Sequence, residues 1–309
     1  MTAAARKSSP CSNRILAIVP FLNEAPVLPR FLASLASQAR LPDRLLLVDD
    51  GSSDDSWALA TDFARRHSYA IALRRPPRPP SKDRLLTANE LRAFLWGLDQ
   101  VDEPWDILVK FDGDLQLTPE TIDFLERRIA EDPGLGMAGS FLTEVDPAGA
   151  RARLRIRDEH VHGATKFYRR QCWDQIQPLP AVMGWDTIDE VKARMHGWRT
   201  RSFALPGGDP VHLRKRGSYD GVGRGYRRYG RGAYAMGAHP LHVLLYAGRQ
   251  MTESPGVLAG FNYLAGWAAA ALGRVERVDP SVRAYIQREQ LQRIRRRLPH
   301  AAGRKLSAG

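Results

Sequence analysis

Three short apolar runs organise the first part of the chain: Ile15-Leu16-Ala17-Ile18-Val19-Pro20, Arg44-Leu45-Leu46-Leu47-Val48 and Ile107-Leu108-Val109-Lys110-Phe111. Each is continuously apolar rather than alternating, the pattern of a strand covered on both faces. Helical periodicity fills the intervals. Asn23 or Glu24 is expected to open a helix with Val27, Phe31, Leu32 and Leu35 on one stripe, and Asp54-Asp55-Ser56 to cap a second running through Trp57, Leu59, Ala60 and Phe63. A short strand over residues 70–73, a helix over 89–98 and a helix begun by Thr118-Pro119-Glu120, with proline in its first turn, continue the alternation. Residues 136–158 predict sheet-edge strands, 186–197 a helix and 199–205 a strand. Strand–helix alternation of this kind predicts an α/β fold with a mostly parallel sheet, right-handed crossovers and flanking helices. Ligands on such sheets sit at the carboxyl ends of the strands, where Pro20, Asn23, Asp49 and Asp50 fall.

The pattern changes beyond about Gly217. Residues 217–232 are crowded with glycine, tyrosine and arginine, and two nearly uncharged stretches follow, 232–248 and 256–273. A joint containing Arg249, Glu253 and Pro255 separates them. The chain thus divides into a flexible tail over residues 1–13, an α/β domain over 14–216 and a basic, apolar helical region over 217–309.

Composition adds a constraint on partners. With 43% hydrophobic and 26% charged residues, the 309-residue chain has the make-up of an ordinary folded protein. Its formal charge of +12 is not ordinary and points to a polyanionic partner: nucleic acid, an acidic membrane face or a phosphorylated substrate. The two cysteines, Cys11 and Cys172, lack metal-ligand spacing, so a reducing compartment fits better than a disulfide framework. Residues 1–14 carry no apolar stretch of the signal-peptide kind, which predicts a catalytic part in the cytoplasm.

Candidate chemistry gathers at two strand ends. Asp112 and Asp114, with glycine between them on a tight turn, can face one divalent cation, Mn2+ or Mg2+, bridging to a diphosphate. The alternative is a solvated acidic turn. Asp50 can accept hydrogen bonds from a base or ribose, the alternative being a surplus acid at a helix N-terminus.

Taken together, Ile18-Val19-Pro20-Phe21-Leu22-Asn23-Glu24, then Val48-Asp49-Asp50-Gly51-Ser52-Ser53-Asp54, then Phe111-Asp112-Gly113-Asp114 resemble, in order and spacing, the inverting glycosyltransferases of GT-A fold. The resemblance covers roughly residues 14–215. It implies a GT-A-type, Rossmann-like sheet and a nucleotide-sugar donor, UDP- or GDP-linked. Pro20, Asn23 and Glu24 would line the nucleotide pocket, Asp50 would contact the base, Asp112 the ribose or metal, and Asp114 would be the principal metal ligand. The family also places a catalytic carboxylate at a helix start about eleven residues before a glycine; counting back from Gly197 gives Asp186 as general base. Trp185 stands where the family usually has glutamate. Asp189 and Glu190, one turn on, are alternatives, and Asp186 could simply cap the helix. Similar enzymes often carry a histidine near position 212 that contacts metal or diphosphate. That would make His212 a ligand, with Arg214 neutralising leaving-group charge and Lys82 and Arg84 closing over the diphosphate. His160 and His162 receive no role.

The C-terminal region bears on location. Residues 256–273 give 18 positions without a charge, borderline against the ~20 needed to span a bilayer. Arg224, Arg227, Arg228 and Arg231 precede the apolar pair and Arg274 and Arg277 follow it, an arrangement suited to an interfacial or re-entrant helical pair on the cytoplasmic face of the membrane. The last helix, with Ile286, Leu291, Ile294 and Leu298 opposite many arginines, would suit an anionic headgroup layer, while a soluble helical subdomain is the alternative. The expected acceptor is therefore a lipid-linked molecule or a polysaccharide. No Gln-x-x-Arg-Trp string occurs, which speaks against a processive synthase of the cellulose type. A nucleotidyltransferase would need a Gly- and Arg-rich phosphate loop after the first strand, which Pro20-Phe21-Leu22-Asn23 does not provide. A nucleic-acid binder would place its basic residues on a recognition element rather than beside apolar stretches, so no nucleic acid partner is expected.

Overall fold

The computed structural model describes residues 13–77, 87–145, 151–154, 156–214, 221–252 and 256–297. It divides into two compact units, Met1–Ser218 and Tyr219–Gly309.

The first unit is built on a seven-stranded sheet. In chain order its strands are β1 (Ile15–Phe21), β2 (Arg44–Asp49), β3 (Ala70–Arg74), β4 (Ile107–Phe111), β6 (Leu135–Ser140), β9 (Thr165–Arg169) and β10 (Arg199–Phe203). They lie side by side as β10-β6-β9-β4-β1-β2-β3. β1 is parallel to both β2 and β4, so the acidic loops that end those two strands emerge at the same edge. β9 alone runs against its neighbours β4 and β6. A smaller sheet, ordered β5-β11-β7-β8, joins β5 (Leu115–Gln116), β7 (Thr143–Val145), β8 (Arg151–Arg153) and β11 (Val211–His212).

The unbroken apolar runs are explained by burial on both faces. Ile15, Ala17, Val19 and Phe21 of β1 enter one core cluster, while Leu16 and Ile18 enter another on the opposite face. The first cluster is covered by α1 (Leu28–Ala36), α2 (Ser56–Arg66) and α4 (Thr121–Glu131) through Phe31, Phe63 and Leu125. The second is covered by α3 (Asn89–Leu98), α5 (Arg170–Ile176) and α6 (Trp185–Met195) through Phe94, Trp173 and Trp185.

Four details differ from the sequence reading. The first helix starts at Leu28, because Asn23 takes a left-handed φ of 53° and the Val27 and Leu28 N–H groups turn back to the Glu24 carbonyl. Likewise α4 begins at Thr121, after the Thr118 carbonyl has closed a turn on its N–H. Of the strands expected at the sheet edge over residues 136–158, β6 lies inside the large sheet and β7 and β8 belong to the small one. β9, which no apolar run announces, is inserted between β4 and β6.

The second unit consists of α7 (Gly221–Ala235), α8 (Pro240–Thr252), α9 (Val257–Leu272) and α10 (Pro280–Arg297). Its core is small: Ala233, Ala238, Val243, Ala247 and Tyr263, flanked by Tyr226, Leu264 and Trp267. Ile286 of α10 is buried rather than turned outward, and Gln287 and Gln290 tie that helix to Gly237 and His239. No helix among the described residues is long and apolar enough to cross a membrane.

Close approach of α3 to the sheet depends on Gly97, where a Cβ would lie 2.7 Å from Val48 Cγ2 and 3.2 Å from Ile18 Cγ2. Gly97→Val is expected to cost about 1–3 kcal/mol by overpacking. Urea unfolding checks this, and an unchanged midpoint would contradict the packing described.

Candidate metal and nucleotide site

Two loops at the carboxyl end of the sheet are stitched together by their own polar side chains. The Asn23 N–H donates to Ser52 Oγ at 3.0 Å, and Asn23 Oδ1 accepts from the Ser53 N–H at 2.9 Å. Glu24 N–H donates to Ser56 Oγ at 2.8 Å, while Asp54 accepts from the Ala25 N–H at 3.1 Å and the Ser56 N–H at 3.0 Å. Asp54 thus serves the loops. Asp49 is fully buried, accepting from the Ser52 N–H at 2.8 Å and pairing with Arg74 at 3.0 Å. Asp50 is nearly as buried and pairs with Arg75 at 2.5 Å, so a nucleoside reaching this carboxylate meets an arginine with it. Pro20 is buried in β1 opposite Val48 and forms wall rather than surface.

The metal candidates converge from three elements. Asp112 leaves β4 with its N–H donated to the Ala164 carbonyl, 3.1 Å away. β11 pairs antiparallel with β5, setting His212 opposite Leu115 and its Nε2 3.6 Å from Asp114 Oδ1. The other ring nitrogen, Nδ1, lies 2.5 Å from the Arg214 carbonyl. That carbonyl can only accept, so in the neutral ring Nδ1 carries the proton and Nε2 turns its lone pair towards the acids. One donor atom from each of Asp112, Asp114 and His212 falls within 4.8 Å of the others. Donors on opposite sides of a cation at ~2.1 Å stand ~4.2 Å apart, so this set fits one divalent ion after a small closure. Arg214 lies beside it, bonded to the Asn23 carbonyl at 2.9 Å and paired with Glu24 at 2.8 Å.

Charge in this cluster is governed by Lys110. Although it sits in the middle of β4 with no exposed surface, its Nζ contacts Asp112, Glu90 of α3 and the Gly163 carbonyl. Burial alone would raise the Asp112 carboxyl, but the Lys110 ammonium pulls it down to about 2. Asp114 is raised by burial and by the neighbouring Asp112 charge, against the pull of His212 and Arg214. Asp112 therefore stays anionic without a cation, and Asp114 is the carboxylate that gains most from one.

The three carboxylates of α6 have separate surroundings. Asp189 is fully buried, bonded by Lys166 Nζ at 2.8 and 2.9 Å and by the Tyr168 hydroxyl at 2.7 Å. Burial pushes it up to about 6 in spite of Lys166. Glu190 accepts from the Val161 N–H at 2.8 Å and pairs with His160 at 2.9 Å and Arg194 at 3.5 Å. Both are closed off from an acceptor. Asp186 stays half-exposed, and among the described residues none donates to its carboxylate. Its Oδ2 lies 3.0 Å from where a Cβ on Gly163 would stand. The 161–164 loop therefore touches both Asp186 and, through the Gly163 and Ala164 carbonyls, the Lys110–Asp112 pair.

Sequence reasoning missed Lys110, Lys166, Glu90, Arg75 and His162. His162 accepts the Ala164 N–H at 3.1 Å and its ring centre is 6.5 Å from that of His212. A lysine in the centre of an apolar run, two residues before an Asp-Gly-Asp turn, was the available signal for Lys110. Lys82, Arg84 and Cys11 lie outside the described residues.

The family model described as glycosyl transferase family 2 matches residues 16–178. Among curated proteins, the chain is 30% identical over 116 residues to the undecaprenyl-phosphate 4-deoxy-4-formamido-L-arabinose transferase of Proteus mirabilis, covering 36% of this chain and 32% of that one. The Yersinia enterocolitica protein of the same name is 32% identical over 116 residues, with the same shares covered. The chain thus spans about a third of the length of these curated relatives. Among solved structures, a mannosyltransferase from Pyrobaculum calidifontis in complex with GDP-Man and Mn2+ superposes with a TM-score of 0.53 at 16% identity, covering 91% of this chain and 81% of that one. S. aureus TarS 1-349 in complex with UDP gives a TM-score of 0.51 at 14% identity, covering 84% and 72%. At such identities the structures speak for the fold alone, which is that of a GT-A domain.

The different surroundings on α6 have a measurable consequence. Asp189→Asn should cost about 3–5 kcal/mol by breaking a buried ion pair, whereas Asp186→Asn should stay within about 0.5 kcal/mol of the parent. Equal destabilisation of the two variants in urea would contradict these placements.

Proposed function

Since this chain belongs to glycosyl transferase family 2, we propose that it is a metal-dependent, inverting glycosyltransferase that moves a sugar from a nucleotide-sugar donor to a lipid-linked acceptor. The convergence of Asp112, Asp114 and His212 at the carboxyl ends of the strands carries this reading. Residues 14–216 are the donor-binding catalytic domain and 217–309 the helical region that accompanies it.

The nucleoside lies across the end of β2 and β3, against the Asp50–Arg75 pair, with Asn23 and Glu24 shaping the pocket edge. Asp112, Asp114 and His212 would hold Mn2+ or Mg2+, which would supply positive charge for the departing diphosphate. Arg214, fixed by Asn23 and Glu24, adds a permanent charge on the same side. Asp186 takes the proton from the acceptor hydroxyl as its oxygen bonds to the anomeric carbon. The bond from that carbon to the diphosphate oxygen breaks on the opposite face, and its electron pair leaves with the nucleoside diphosphate. Asp186 suits the task because its carboxylate is half-exposed and lies in the first turn of α6, where the helix N-terminus favours the anion.

The donor class is supported by the GDP-Man and UDP held by the structural neighbours, and the acceptor class by the names of the curated relatives. Those names favour a second version of the last step. If the acceptor is an isoprenoid phosphate, its attacking oxygen is already anionic near neutral pH and needs no general base. An enzyme with such an acceptor works at the membrane, on its cytoplasmic face.

Asp114→Ala is expected to abolish transfer and Mn2+-dependent nucleotide binding while leaving the thermal midpoint in place. A variant that still transfers at the parent rate would remove the metal assignment. Asp186→Asn should keep donor affinity and lower the rate by about 10²-fold or more with a hydroxyl acceptor. With a phosphate acceptor the same variant should keep its rate, and a fall in donor binding that matches the fall in rate would make Asp186 structural.

A further inference from the structure

Helices of water-soluble units bury large apolar side chains and expose small or charged ones. α9 departs from this along one face. Its buried face is Ala259, Gly260, Tyr263, Gly266 and Ala270, and its outer face carries Val257, Leu258, Phe261 and Leu272, with Leu258 70% and Leu272 86% exposed. On α8, Leu241, Leu244 and Leu245 are likewise exposed.

This orientation is fixed by backbone contact. A Cβ on Gly266 would lie 2.0 Å from the Arg227 carbonyl oxygen of α7, and one on Gly230 of α7 would lie 1.9 Å from the Tyr263 carbonyl oxygen. Gly260 meets the Ala247 carbonyl oxygen of α8 in the same way, at 2.5 Å. Turning α9 about its axis to hide Leu258 and Phe261 would drive them into neighbouring main chains. The small residues and Tyr263 have taken the interior, and Val257, Leu258, Phe261 and Leu272 are left outside.

The occupant of such a face has to be apolar where it meets α9 and negative where it meets the surroundings. Residues 256–273 carry no charge, whereas residues 221–297 hold thirteen arginines against four acids. Arg249 and Arg274 stand exposed beside the apolar stripe, and Arg224, Arg227 and Arg231 are exposed on α7. A second copy of the chain would bring arginine against arginine. The 16 residues of α9 extend only ~24 Å, short of a ~30 Å hydrocarbon core, so the helix suits a position along the interface.

We propose that the outer face of α8 and α9 docks the enzyme on an anionic lipid bilayer, with Leu244, Leu245, Leu258 and Phe261 entering the headgroup–acyl boundary and the surrounding arginines contacting lipid phosphates. The proposal rests on the lipid-acceptor reading for its purpose, since a docked enzyme meets a lipid-linked acceptor in the plane where it is confined.

The test is flotation of the full chain with vesicles of phosphatidylcholine alone and of phosphatidylcholine mixed with phosphatidylglycerol, without donor or metal. Wild type should float with the mixed vesicles at low salt and more weakly with neutral vesicles or at high salt. Leu258→Ser with Phe261→Ser should lower partitioning at least about tenfold while keeping its thermal midpoint, because each buried side chain of this size contributes about that factor. Should that variant fail to fold, Leu244→Ser with Leu245→Ser is read in the same assay. Wild type that stays with the protein fraction on both vesicles overturns the proposal. So do serine variants that float as well as wild type, and so does a wild-type dimer that the serine variants dissociate. Flotation without Mn2+-dependent nucleotide binding would sink the transferase reading and leave docking intact; nucleotide binding without flotation would do the opposite.

Discussion

Four carboxylates crowd one end of a parallel sheet, and the fold brings cations from several elements to meet them. Asp49 and Asp50 end β2, Asp112 and Asp114 follow β4, and β1 between them holds both strands in parallel register. Two like charges ~4 Å apart repel by about 4 kcal/mol at an effective dielectric of 20, so the cluster needs cations of its own. They come from elements far apart in sequence. Arg74 closes β3 and Arg75 follows it, Lys110 lies within β4, and Arg214 comes just after β11. Asp114 is the carboxylate with least compensation, and so the one with most to gain from a divalent ion.

A second arrangement supports the first from behind. Lys110 and Lys166 face each other directly across β4 and β9, both fully buried. Like charges opposite one another destabilise an antiparallel pair, and here they are separated by what each one bonds. Lys110 turns to Asp112 and Glu90, whereas Lys166 turns to Asp189 and the Asp186 carbonyl. The Trp185 ring centre lies 5.5 Å from one ammonium and 5.8 Å from the other. An aromatic face serves both cations without adding an acid to a region already supplied with them, which gives a physical reason for tryptophan where the family usually has glutamate. Through Lys166 the same network holds the first turn of α6, so Asp186 is positioned by residues of β9 and α6.

Much of this was legible along the chain, and the parts that were not share a cause. The runs at residues 15–19, 44–48 and 107–111 are continuous because both faces of the sheet are covered, and the acids that follow the second and third mark the carboxyl ends of their strands. β9 escaped notice because Thr165 and Lys166 break its apolar character, and they are tolerated only because β4, β6 and α6 supply partners from elsewhere in the chain. Asp186 could not be separated from Asp189 and Glu190 by spacing, since all three fall within five residues on one helix. The distinction lies in Lys166, Tyr168, His160 and Val161, which claim the latter two. In the C-terminal region the sequence signalled apolar stretches beside arginine but not which side chains faced outward. Leu264 and Trp267, which lie in the uncharged stretch over residues 256–273, pack against the small core, and glycine-mediated helix contact decides that.

The proposed metal centre requires that one cation be held jointly by this histidine, these acids and the donor diphosphate. Electron–nuclear double resonance on Mn2+ bound to the full chain with a nucleoside diphosphate reads that directly, because coupled nuclei identify the ligands. A nitrogen coupling from His212, lost in His212→Ala, is expected together with phosphorus couplings from the diphosphate. A Mn2+ spectrum with phosphorus but no histidine nitrogen, or with neither, would contradict it.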